Sequence, residues 1–245
     1  MMFLLGAVLF SSLVMIPQFL QTLLGYTSEL AGLVLSIGAL LLLVEMPIVG
    51  QLTSKFQARY IIAFGWLCVA LSMFYSTARL NLLISFGMAA WIRTVQVVGL
   101  GFLFVPITLT SYVGIPAEKS NTVSGLINFM RNIGSSVGTS MVTTMIARRA
   151  QYHQTILVGN TSLQNPNFLN AVNALSSTLT HSGLDPVDAQ RLAHQRLYVT
   201  AQNQATTLAY IDTFWLLGVV ATIMFFLSFA LKKNEPGKGG AEAAA

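Results

Sequence analysis

Polar residues divide this chain into long apolar runs at residues 3–24, 31–52, 60–77, 82–113, 122–147 and 207–231. An α-helix rises 1.5 Å per residue, so about 20 mainly apolar residues cross the hydrocarbon core of a bilayer. Each run predicts one membrane-spanning helix, and together they predict an all-α integral membrane fold. Pro17, Pro47 and Pro106 fall inside runs; membrane helices tolerate proline because neighbouring groups re-satisfy the freed carbonyls. The fourth run is long for one crossing, which predicts either tilt or an extension beyond the bilayer near Pro106. The fifth is rich in Gly, Ser and Thr and carries Gly134 and Gly138 at GxxxG spacing. Small residues let two helix backbones approach closely, so this helix is expected to be packed rather than lipid-facing.

Residues 148–206 are polar and are expected to form an extramembrane loop, periplasmic in the favoured topology. Within it Asp185-Pro186 precedes the helix-like stretch DAQRLAHQRLYVTAQNQ. An acceptor side chain followed by proline at the first helical position is a good helix start. The expected organisation is thus five spans over 1–147, the loop over 148–206, the last span over 207–231 and a disordered cytoplasmic tail over 232–245. Placing the 53–59 loop in the cytoplasm puts Lys55, Arg59, Lys119, Lys232, Lys233 and Lys238 inside, against Arg79, Arg148, Arg149, Arg191 and Arg196 outside. The positive-inside rule favours that orientation by a small margin. The chain opens directly in an apolar helix without a basic region before it, unlike a signal peptide, and so reads as starting in mid-protein.

Composition sharpens the class. Charged residues make up 9% of the chain and hydrophobic residues 54%, where a soluble domain carries about 25% charged residues. The net charge of +5 is scattered and lacks the basic, aromatic-interleaved patch of a nucleic-acid binder, so no nucleic-acid partner is expected. The lone Cys68 excludes an internal disulfide. His153, His181 and His194 have no partner acid or cysteine at metal-ligand spacing. No residue pattern calls for a metal, a cofactor or a catalytic nucleophile.

Four ionisable residues fall inside the runs: Glu45, Arg93, Arg131 and Asp212. Each costs about 2.5–3.5 kcal/mol at a helix centre on insertion scales, so each needs a partner or a wet cavity. Two acids and two bases permit acid–arginine pairs. Asp212 lies near the start of its run, within reach of the interface, whereas both arginines lie deep enough to make snorkelling hard.

Three stretches carry a resemblance. Gly50-Gln51-Leu52-Thr53-Ser54-Lys55-Phe56-Gln57-Ala58-Arg59 resembles the cytoplasmic loop motif of the major facilitator superfamily, keeping Gly50, Leu52, Lys55 and Arg59 but placing Ser54 where the motif has aspartate. Arg93-Thr94-Val95-Gln96-Val97-Val98-Gly99-Leu100-Gly101, continuing to Pro106, is similar to its arginine-x-x-glutamine-x-x-glycine motif. The run from Ser124-Gly125 through Asn128, Arg131 and Gly134 to Gly138 is the most specific, and it resembles the fourteen-span drug:proton antiporters of the EmrB/QacA type. Those six spans would be the last six of such a protein, one half of the transporter.

The resemblance implies a substrate cavity shared with an N-terminal half, and alternating access in which proton entry is exchanged for drug exit. It implies proton-coupling or cavity roles for Asp212, Arg93, Arg131, Glu45, Gln96 and Asn128. It also implies a gating role for Gly50, Lys55 and Arg59, and helix packing by Gly99, Gly101, Pro106, Gly134 and Gly138. The expected substrates are hydrophobic compounds, tilted by the two arginines towards weak acids, and the expected place is the bacterial inner membrane. The family also implies a periplasmic membrane-fusion protein and an outer-membrane channel as partners. Rival readings are an uptake symporter of the same superfamily and a non-transporting membrane subunit or remnant.

Overall fold

The computed structural model describes residues 1–159 and 165–231, apart from the side chain of Ala117. Its helices are α1 (Met2–Leu24), α2 (Ser28–Lys55), α3 (Ala58–Arg79), α4 (Phe86–Tyr112), α5 (Ser120–Gly159), α6 (Pro166–His181) and α7 (Pro186–Ser228), with a 3-10 turn at Ala117–Lys119. The expected tail over 232–245 lies outside the described residues.

Local chemistry sets the boundaries. α1 ends at Gly25, whose φ of 68° is a left-handed conformation that glycine adopts without steric penalty. Thr27 caps α2 by accepting from the Leu30 N–H at 3.3 Å, and Ser85 caps α4 by accepting from Met88 at 3.3 Å. The Ser85 cap places the start of α4 at Phe86, later than the apolar run begins. α4 then continues as one helix through Pro106.

By length and hydropathy, α1, α2, α3, α4 and α7 are able to cross a membrane. α5 is 40 residues long, but its Gly, Ser, Thr and Asn content leaves it outside that apolar set. The chain is a multi-pass membrane protein.

Two compact units are present: Met1–Thr143 with Ile211 onward, and Thr144–Tyr210. In the first, α4 packs against α1, α2 and α3, around a core that includes Phe19, Trp66, Met73, Ile92, Leu103 and Phe214. Glycines set how closely these helices approach. A Cβ added at Gly99 would lie 2.6 Å from the backbone nitrogen of Val69, and one at Gly65 would lie 2.9 Å from the Leu103 side chain, so α3 and α4 meet almost backbone to backbone. The same holds between α1 and α5. Gly134 abuts the Phe3 carbonyl, Gly138 the Ala7 backbone and Gly6 the Arg131 carbonyl, which is the close approach that small residues permit.

The second unit shows that the segment 148–206, expected to lie outside the membrane, is largely helical among its described residues. α5 runs on to Gly159, α6 occupies Pro166–His181, and α7 begins at Pro186. α6 is amphipathic: Val172 and Leu179 are buried against Ala189 and Ala193 of α7, with Phe168, Leu175, Leu184, Leu192 and Leu197 around them. Asn165 caps α6 by accepting from the Asn167 N–H at 3.0 Å. Asp185 Oδ2 accepts from the Val187 N–H at 3.1 Å at the start of α7. Gln154 of α5 donates to the Tyr198 hydroxyl of α7 at 3.0 Å. Hydropathy averaged along the chain hides this unit, because its apolar residues are few and spaced three or four apart.

Candidate substrate and proton site

Arg93 sits inside the first unit at 4% exposure. Its Nη1 donates to Ser12 Oγ of α1 at 3.2 Å and to Gln96 Oε1, one turn along α4, at 3.4 Å. Gln96, fully buried, donates through Nε2 to Ser76 Oγ of α3 at 2.9 Å. Ser12 and Ser76 donate in turn to carbonyls of their own helices, Leu9 at 2.8 Å and Ser72 at 2.7 Å. Each hydroxyl spends its proton locally and turns its lone pairs towards α4. One polar chain thereby links α1, α4 and α3 through the core.

The partners of this guanidinium are neutral, and its Nε has no hydrogen-bond partner. An arginine held this way is an expensive way to join helices, since replacing buried charge by well-packed apolar groups is often neutral or stabilising. Retaining a cation here makes sense where a charged or strongly polar species arrives during function.

Glu45 of α2 is the second buried ionisable residue, at 8% exposure, and no side chain hydrogen-bonds its carboxyl group. The carboxylate fits over Gly101 of α4: a Cβ there would stand 2.6 Å from both Oε1 and Oε2. The expected acid–arginine pairing is therefore not formed between Glu45 and Arg93. Geometry explains why. On α2, Gly38 packs against Val97 and Arg93, while Glu45 packs against Gly101. The seven-residue step from 38 to 45 is roughly 10 Å along the helix axis.

Arg131 and Asn128 form another grouping on α5. Arg131 Nη2 donates to Asn128 Oδ1 at 2.6 Å, and the guanidinium lies 5.7 Å from the Phe104 ring centroid. Asp212 is half-buried on α7, which begins at Pro186, ahead of the apolar run. In the loop motif Gly50 faces open space and Lys55 is exposed. Arg59 stacks on Tyr60 at 4.6 Å and donates from Nη2 to its hydroxyl at 2.6 Å. Pro106 is buried within α4.

Sequence reasoning misses Ser12 and Ser76. The available signal is weak: a small hydroxyl inside an apolar run is common and usually satisfies itself on its own helix. Only the fold shows which hydroxyls face an arginine or a glutamine.

Multiple membrane-crossing helices, glycine-mediated packing and a buried arginine–glutamine–serine network define a polytopic membrane protein of the transporter type. The sequence pattern of the Major Facilitator Superfamily matches residues 1–139, which is more than half of the chain. The chain belongs to the major facilitator superfamily, whose members are transporters and not enzymes. It is 28% identical over 235 residues to multidrug export protein EmrB of Escherichia coli (strain K12), covering 96% of this chain and 44% of that protein. To EmrB of Haemophilus influenzae it is 30% identical over 224 residues, covering 87% of this chain and 41% of that protein. To fatty acid resistance protein FarB of Neisseria gonorrhoeae it is 29% identical over 147 residues, covering 59% and 28%. The chain spans less than half the length of these curated relatives. With its apolar helices, this likeness makes it a multi-pass protein of the bacterial inner membrane.

Proposed function

We propose that the chain acts in multidrug efflux by proton antiport, exporting hydrophobic, weakly acidic compounds across the inner membrane by alternating access. It supplies one wall of a cavity whose other wall is an N-terminal transporter half, and α5 crosses the membrane as part of that wall. The observation that carries this reading is the Arg93 network, a buried cation on neutral partners in a chain similar to EmrB over nearly all its length. A positive site among apolar helices suits an amphipathic anion. The relative named for fatty acid resistance supports the same chemistry.

In this mechanism Arg93 and Arg131 attract the anionic end of the substrate, with Gln96 and Asn128 orienting the two guanidinium groups. Asp212 exchanges the proton as access alternates, and the loop at Gly50, Lys55 and Arg59 contributes to the gate. The second unit docks a periplasmic membrane-fusion protein that leads to an outer-membrane channel. Replacing Asp212 by Asn in the full-length protein is expected to abolish efflux driven by a pH gradient while leaving its amount in the membrane unchanged. Unaltered efflux removes Asp212 from the mechanism. Crosslinkers placed at Gln154 and Tyr198 are expected to capture a fusion protein, and failure to do so in intact cells counts against the docking role.

A further inference from the structure

The corner between α2 and α3 holds an apolar groove beside Lys55 and Arg59, the cations of the proposed gate loop. Leu52 and Phe56 at the end of α2, Tyr60, Ile61 and Phe64 at the start of α3, and Phe102 of α4 border a broad, open depression of about 420 Å³. That volume is within the usual range for small-molecule sites, about 300–1,000 Å³. Its accessible wall is wholly apolar and the groove is open along one side. Phe56, Tyr60 and Phe64 are each about half exposed, and Phe64 meets Phe102 edge to face at 5.0 Å.

Two cations adjoin residues that line this groove. Lys55 directly precedes Phe56, and Arg59 directly precedes Tyr60. Stacking on Tyr60 and the 2.6 Å bond to its hydroxyl fix the plane of the Arg59 guanidinium, while its Nε has no acceptor. No acidic residue lies between Glu45 and Glu118 in the chain, so nothing nearby in sequence neutralises the pair of cations. The corner thus offers an apolar slot in the membrane and two positive charges where α2 and α3 join.

We propose that this groove binds an anionic phospholipid, one acyl chain lying along Phe56, Tyr60, Phe64 and Phe102. Lys55 and Arg59 hold the phosphate. Basic pockets between membrane helices are suited to anionic headgroups. Aromatic rings at the depth of Tyr60 are at home in the interfacial layer. The open side of the groove lets the chain enter laterally from the bilayer.

The test reconstitutes the full-length protein in phosphatidylcholine vesicles doped with phosphatidylglycerol that bears a photoactivatable acyl chain. Labelled residues are then mapped by mass spectrometry. Labelling is expected to concentrate on the groove residues, and an equally photoactivatable phosphatidylcholine should label them much less. Each cation near an anionic lipid surface is worth roughly fivefold in affinity, so Lys55→Gln with Arg59→Gln should reduce labelling by about tenfold or more. Arg59→Lys, which keeps the charge and reports on folding, should retain most of the label. Soluble glycerol 3-phosphate, which has the headgroup charge without the chain, should fail to compete. Equal labelling by the two lipids, labelling insensitive to the double substitution, or displacement by glycerol 3-phosphate overturns the proposal.

Discussion

Replacing Arg93 by leucine separates a structural arginine from a functional one. The substitution removes a cation whose presence at a helix centre costs about 2.5–3.5 kcal/mol on insertion scales. It also removes two hydrogen bonds, at 3.2 and 3.4 Å, both longer than the usual charge-assisted distance. Bonds to charged groups contribute about 1.5–3 kcal/mol at good geometry, and these two belong at the low end. Ser12 keeps its own bond to the Leu9 carbonyl, and Gln96 keeps its donation to Ser76. Gln96 Oε1 is left without a donor, at a cost of about 1–3 kcal/mol. The losses exceed the gain by about 0.5–3.5 kcal/mol. Thermal unfolding of purified Arg93→Leu protein in detergent is therefore expected to lie no more than about 3.5 kcal/mol below the parent, by the same magnitudes. Drug efflux from intact cells should drop at least about tenfold, a loss of roughly 1.4 kcal/mol or more in transition-state stabilisation. A variant that stays folded and exports normally refutes the functional reading of Arg93 and favours a non-transporting membrane subunit. A variant destabilised by more than about 3.5 kcal/mol refutes the energetic argument, because it shows the network to be structural.

Two packing predictions follow from the glycines. A Cβ at Gly138 would lie 2.6 Å from Ala7 Cα, where ordinary contact begins at 3.4 Å, so α1 and α5 must part by about 0.8 Å to accept it. Gly138→Ala should destabilise the protein by about 1–3 kcal/mol, read as a lower unfolding midpoint in detergent; an unchanged midpoint removes the claim of backbone contact. Gly101→Ala should cost a similar amount by displacing the Glu45 carboxylate. Combining it with Glu45→Ala should recover at least about 1 kcal/mol relative to the sum of the single changes. Strict additivity contradicts the notch described at Gly101. In the second unit, Leu179→Ala is expected to cost about 2–5 kcal/mol of local stability, seen as faster proteolytic cleavage within α6, and unaltered cleavage contradicts its place in that core.

Helix positions in the first unit were legible because a membrane crossing writes itself as an uninterrupted apolar run, as in α1 through α4. The start of α7 was also legible, since Asp185-Pro186 is a local signal that needs no tertiary context. Its continuity from Pro186 into the last apolar run was not. A hydropathy average marks where the environment changes, whereas the helix ladder continues across that change. α6 was missed for a related reason, because its burial rests on Val172 and Leu179 against two alanines. Within the site, Arg93 and Gln96 were readable as an i, i+3 pair on one helix face. Ser12 and Ser76 lie on other helices, and only tertiary packing sets which of many hydroxyls meets them. Glu45 and Arg93 do not meet because charge counting ignores register: they sit on neighbouring helices about two turns apart.

The central claim is exchange of protons for a hydrophobic, weakly acidic substrate, and everted inner-membrane vesicles containing the full-length protein test it most directly. With the vesicle interior acidified by respiration and followed with a pH-sensitive dye, addition of a medium-chain fatty acid should trigger proton release through the protein. That release should be absent from vesicles carrying Arg93→Leu. Proton movement that is the same with and without Arg93, or substrate that leaves these vesicles along with protons as an uptake symporter requires, contradicts the account.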